Sequence, residues 1–147
     1  MNNTFLRCSW GFVYGFIASL IFSAFITIIG NGLAGGGTLD GWGWFFIGLS
    51  VPLSITVSIA GYFHAFKNLS RLKFWLCCAA FGFLIVTYMS TVGALMADSI
   101  VYDIHNKNMD HFRWGPITAF LFLPLSTFLV VFLLSAFRNF LDLRRLL

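Results

Sequence analysis

Four stretches of this 147-residue chain, 10–30, 44–66, 74–97 and 115–137, contain no Asp, Glu, Lys or Arg. Each is 21 to 24 residues long, and a helix rising 1.5 Å per residue needs about 20 residues to cross a hydrocarbon core of about 30 Å. Lipid offers no partner for a bare backbone group, and the runs are too long for barrel strands, so the sequence predicts α-helices. The composition agrees: 59% of the residues are hydrophobic and only 10% charged, outside the usual mix of soluble domains. The expected fold is therefore all-α. It is a polytopic membrane protein with four transmembrane helices in an up-down-up-down bundle, one transmembrane domain over residues 1–147, and a short amphipathic tail at 138–147.

All five tryptophans fall at the ends of these runs, at Trp10, Trp42, Trp44, Trp75 and Trp114, where indole rings meet the headgroup region. Arg7, Lys67, Arg71, Lys73, Arg138, Arg144 and Arg145 lie on one side, against Lys107 and Arg113 on the other. The positive-inside rule then places both termini and loop 67–73 in the cytoplasm and loops 31–43 and 98–114 outside, with a bacterial inner (plasma) membrane as the expected location. This topology accounts for the net charge of +4, which is no nucleic-acid footprint. The first run is longer than the apolar core of a cleaved signal peptide and is expected to remain as an anchor. Cys8, Cys77 and Cys78 sit at cytoplasmic ends of runs and read as structural thiols rather than a disulfide framework.

The first outer loop is dense in glycine, with Gly30, Gly32, Gly35, Gly36, Gly37, Gly41 and Gly43. A phosphate cradle needs a preceding strand and a following Gly-Lys-Ser/Thr, and neither is present. Tight turns at positive φ between antiparallel helices are the simpler use. The functional alternative is a loop that dips into the outer leaflet or presents bare backbone to a partner.

Helices in lipid associate through close packing of small residues and hydrogen bonds rather than through hydrophobic drive. Gly11, Gly15, Ser19, Ser23 and Thr27 recur every fourth position along the first run, and Ser50, Ser54 and Ser58 along the second. These stripes are candidate seams, for packing within the bundle or against a partner. The third run carries Cys78, Gly82, Ser90 and Ala94 in a similar register. Pro52 and Pro124 each remove a backbone donor, freeing the carbonyls of Gly48 and Phe120, and both helices are expected to kink at similar depth. Pro116 falls in a first helical turn, where it costs nothing. The segments from Ala65 and Ala136, AFKNLSRL and AFRNFLDLRRL, match at an offset of 71, as two helical hairpins in tandem would.

Chemistry is sparse. A carboxylate or amine at mid-membrane would mark a pump, relay or substrate site, and the runs contain none. His64 lies near the inner end of the second run, where it can reach interfacial water, and no pair of histidines suits haem. Tyr88, with Thr87, Ser90 and Thr91, forms the polar cluster nearest a run's centre, suited to interhelical hydrogen bonding or to lining a narrow pore. The outer segment 98–114 is the most polar: Tyr102, Asp103, His105, Asp110, His111 and Trp114 make a candidate contact surface for protein. Asp103, His105, Asp110 and His111 match no standard metal spacing, while Asp103 and Lys107 suit an i,i+4 pair on a solvated helical extension. In the tail, Phe137, Phe140, Leu141 and Leu147 face away from Arg138, Asp142 and Arg145, a pattern for lying along anionic lipid or docking to a cytoplasmic partner.

Size and lack of chemistry are similar to those of small bacterial inner-membrane immunity proteins against membrane-active toxins, a resemblance of architecture that supplies no residues. Two function classes follow. The first is a non-catalytic membrane interaction protein, an accessory or assembly subunit or an immunity-type inhibitor, meeting another membrane protein or itself through helix contacts. The second is a small homo-oligomeric channel or transporter lined by the Ser/Thr stripes. No nucleophile-base pair or carboxylate dyad can be assembled on one membrane face, so no enzyme is expected. Nothing in the sequence calls for a cofactor, a nucleic acid or a soluble small-molecule substrate.

Overall fold

The structure is a computed structural model that describes residues 3–35, 39, 41–63, 69–101 and 110–143. Among these it is all-helical. Helix α1 spans Asn3–Ala34, α2 Trp42–Tyr62 and α3 Arg71–Tyr88; a π-helical turn at Met89–Gly93 leads into α4, Ala94–Val101, followed by α5, Asp110–Leu121, and α6, Leu123–Leu143. Four segments are long and apolar enough to span a membrane: Thr4–Ala34, Trp42–Tyr62, Arg71–Val101 and Leu123–Leu143. This is the mark of an integral membrane protein.

Helix α1, the third segment and α6 overrun their uncharged runs, whereas α2 starts early, at Trp42, and gives out at Tyr62, short of the expected end at Phe66. With 32 residues α1 is about 48 Å long, well beyond a hydrocarbon core of about 30 Å. It stops at Gly35, whose φ of 73° is open to glycine, and α2 starts after Gly41, at φ 80°. Two glycines of the loop thus take the positive φ that turns require. Beyond the fourth uncharged run the chain stays helical from Arg138 to Leu143.

Two departures from regular helix matter. The third segment contains the π turn, which inserts an extra residue into the helical ladder and rotates everything after it. The fourth uncharged run, 115–137, is divided between two helices, α5 and α6, broken at Phe122. Pro124 has no N–H for the carbonyl of Phe120, while Phe122 N donates to Thr118 O at 3.0 Å and Ser126 N to Phe122 O at 2.9 Å, holding the two pieces end to end. Pro52 acts differently, since α2 runs through it unbroken.

The chain forms two antiparallel helical pairs. In the first, α1 lies directly on α2: a Cβ built on Gly11 would stand 2.5 Å from Val57 O, and one on Gly15 2.6 Å from Leu53 O. A Cβ on Gly61 would meet Arg7 O at 2.5 Å, so the backbones touch along most of their length. In the second pair Gly82 of α3 abuts Ser126 of α6, Trp75 packs on Phe128 and Phe83 on Phe120. A core of Leu53, Val57, Cys78, Ile85, Val130, Leu134 and Phe137 joins the pairs. At the end that carries the N-terminus, Trp10 and Tyr14 of α1 close onto Phe137 and Phe140 of α6, with ring centroids 5.2 to 5.8 Å apart.

Candidate functional site

The stripe of α1 is spent inside the chain. Ser19, Ser23 and Thr27 are fully buried, and each hydroxyl donates to its own helix: Ser19 to Phe16 O at 2.7 Å, Ser23 to Leu20 O at 3.0 Å, Thr27 to Ser23 O at 2.7 Å. Such back-bonding satisfies a hydroxyl where lipid cannot. On α2, Ser54 is buried against Gly15 without a hydrogen-bond partner. Ser50 donates to Ile47 O, and Ser58 crosses to Cys8 O at 3.0 Å. Gly11, Gly15, Ser19, Ser23 and Ser54 therefore belong to a closed seam between the chain's own helices. They present no surface to a second protein, because two backbones already occupy the space that their lack of side chain creates.

What the seam leaves outside is apolar and aromatic. Phe12, Phe16, Ile17, Ile21 and Phe25 of α1 are exposed, as are Phe120, Leu125, Phe128 and Phe132 along α5 and α6.

The polar site lies at the opposite end of the bundle from the N-terminus, where α2 begins, α4 ends and α5 begins. Asp98 is its centre. One carboxylate oxygen accepts from Trp44 Nε1 at 2.7 Å, and the other from His111 Nε2 at 3.1 Å. Three elements, with partners 54 and 13 residues from Asp98 in the chain, thus meet on one side chain. Each bond is charge-assisted and stronger than a neutral one.

One to two turns deeper, the π turn makes the second contact between the helical pairs. A Cβ on Gly93 would stand 3.1 Å from Gly48 Cα and 3.3 Å from Gly48 O. Gly48 O is the carbonyl deprived of its donor by Pro52, and Gly93 packs against it where a side chain would crowd it. Beside it, Ser90 Oγ donates to Val86 O at 2.5 Å and reaches Gly115 O at 3.2 Å, tying the π turn to α5. Thr91 bonds to Thr87 O at 2.6 Å. Tyr88 points away to Met96 Sδ at 3.6 Å, so the polar cluster around it does not converge on one point.

Of the candidate contact surface, His111 is the one member among the described residues that enters the Asp98 site. Trp114 is 57% exposed and stands apart from it. Tyr102, Asp103 and His105 lie outside the described residues, as do His64, Asp40, Lys107 and the side chain of Asp110. Among the described residues no three His, Cys, Asp or Glu side chains come together as a metal site would need.

The residues missed by sequence reasoning are Asp98 and Trp44. Trp44 reads as one more interfacial indole, and Asp98 as the first residue of a solvated segment. The available signal is that Asp98 is the first charge after a 24-residue uncharged run, close enough to the apolar zone to need a donor. Compared with known proteins, the chain matches no family model, no curated protein and no solved structure.

Proposed function

We propose that this chain is a non-catalytic interaction protein of the bacterial inner membrane, working as an accessory or assembly subunit or as an immunity-type inhibitor. In this reading the four segments run up-down-up-down. Both termini and loop 67–73 lie in the cytoplasm, and the Asp98 end faces outward. The observation that carries the proposal is the division of labour among the surfaces. Small residues and hydroxyls are consumed between α1 and α2, which leaves broad aromatic faces on α1 and on α5 and α6 for helices of another membrane protein. The hydroxyl stripes weigh against the channel alternative, since most of them are bonded to carbonyls of their own helices rather than turned to a common lumen.

Photo-cross-linking in native membranes tests this. A benzophenone side chain placed at Phe16, Phe25, Phe128 or Phe132 is expected to give a discrete adduct with one foreign membrane protein. Adducts with lipid alone would overturn the proposal. Adducts with further copies of this chain, accompanied by thiol-reagent access at Ser50→Cys and Ser54→Cys, would replace it with the channel.

A further inference from the structure

We propose that this chain pairs with a second copy of itself through the open side of the π turn, the two Tyr88 hydroxyls bonding to each other across the contact. The residues differ from those of the aromatic faces on α1, α5 and α6, so the pairing goes beyond the interaction role and does not rest on it.

The π turn divides its own surface. Met89 and Gly93 face α2, where a Cβ on Gly48 would stand 3.1 Å from Met89 Cγ and one on Gly93 3.1 Å from Gly48 Cα. Ser90 and Thr91 face α5, through the 3.2 Å bond from Ser90 Oγ to Gly115 O and the methyl group of Thr91 against Gly115. What remains is the side of Tyr88 and Val92. Leu84 before it and Met96 beyond it extend this side, and Leu84, Val92 and Met96 are all exposed.

The apolar side chains here suit lipid, but the Tyr88 hydroxyl does not. It donates to Met96 Sδ at 3.6 Å, and a thioether is a weak acceptor. Among the described residues nothing donates to the phenol oxygen in return. Depth makes this costly. Residue 86 is the midpoint of the Arg71–Val101 segment, and Tyr88 lies two positions from it. From there the headgroups are about 15 Å away on either side, half of a hydrocarbon core of about 30 Å and further than a tyrosine side chain reaches. Neither water nor a lipid ester meets the hydroxyl at that level, and hydrocarbon penalises a hydroxyl without a good partner. The missing oxygen must come from a protein at the same depth.

A second copy supplies it by symmetry. Two chains inserted in the same direction pair about a two-fold axis along the membrane normal, so a residue beside the axis meets its own counterpart at its own depth. A phenol is both donor and acceptor, and two of them therefore satisfy each other, whereas a foreign helix would need a polar residue at the matching level. Positions 84–96 carry no charged side chain, so nothing on this side repels its own copy. Val92 and the adaptable Met96 fill the space around the hydroxyl pair.

The test is the dissociation constant of the purified full chain in phosphatidylcholine–phosphatidylglycerol vesicles, read as Förster transfer between donor- and acceptor-labelled copies while the protein is diluted with lipid. The wild-type chain is expected to show transfer that falls on dilution. Tyr88→Phe keeps the ring, removes the oxygen and should weaken pairing about tenfold. Met96→Leu, which removes only the internal acceptor, and Phe25→Leu on α1 should leave it unweakened. A benzophenone side chain at Val92 should give a covalent dimer in the same vesicles. No foreign protein is present, so the result stands or falls separately from the accessory or inhibitor role. Absence of transfer at every dilution overturns the proposal, as does pairing that Tyr88→Phe leaves unchanged or that Phe25→Leu weakens equally. A Val92 probe that reacts with lipid alone, or in native membranes with a foreign protein in place of a second copy, overturns it as well.

Discussion

Replacing Gly15 by alanine should separate α1 from α2, and the geometry sets the size of the effect. The added carbon would lie 2.6 Å from Leu53 O and 2.7 Å from Ser54 Cα, both backbone positions, where ordinary contact begins at 3.4 Å. The helices must therefore part by about 0.8 Å at this level. A gap of this size forfeits a quarter to a half of the dispersion well for each atom pair that faced it. Ser19, Leu53, Ser54 and Val57 are all within the buried strip that loosens. Overpacking of this kind costs typically 1–3 kcal/mol, against which alanine returns up to about 1 kcal/mol of helix propensity. The expected net loss is about 1–2 kcal/mol for Gly15→Ala, and more for Gly15→Leu.

Gly30→Ala is the matched control in the same helix, because nothing lies within 4 Å of a Cβ built there. It should be neutral or slightly stabilising. Reversible unfolding in mixed micelles, or steric trapping in bicelles, gives the comparison directly. Equal effects of the two substitutions would refute the argument, since helix propensity alone would then account for both.

Three other expectations rest on separate contacts. Gly93→Ala, with its new carbon 3.1 Å from both Gly48 Cα and Tyr88 O, should lift the π turn off α2 and cost about 1–2 kcal/mol in the same unfolding assay. Ser58→Ala removes the 3.0 Å bond to Cys8 O and should cost about 0.5–1 kcal/mol, with faster amide exchange near the start of α1. Pro124→Ala restores a donor for Phe120 O and should join α5 and α6 into one helix, visible as a protected amide at position 124 and a changed spin-label distance across Phe122.

Much of this architecture is written in short-range physics. Where charge is absent for 21 residues or more the backbone must bond to itself, so the four helical segments and their approximate limits can be read from one line of sequence. The same holds for the turns at Gly35 and Gly41, since a glycine-dense stretch suits positive φ. The spacing of Gly11, Gly15, Ser19 and Ser23 likewise identifies a packing face, because a fourfold repeat of small residues aligns on one ridge. Which helix that face meets is another matter.

Tertiary structure alone decided that α2 fills the seam, and with that the stripe ceased to be available to a partner. It also separated the two prolines. The carbonyl freed by Pro52 faces Gly93, whereas Pro124 falls where α5 gives way to α6. The π turn changes the rotation of α4 by a single extra residue, a shift too small to register in any periodicity. Rotation and depth together bring Asp98 between Trp44 and His111. A side chain's own neighbours set whether it lies in a helix, but the register between helices far apart in the chain sets which donor a carboxylate meets.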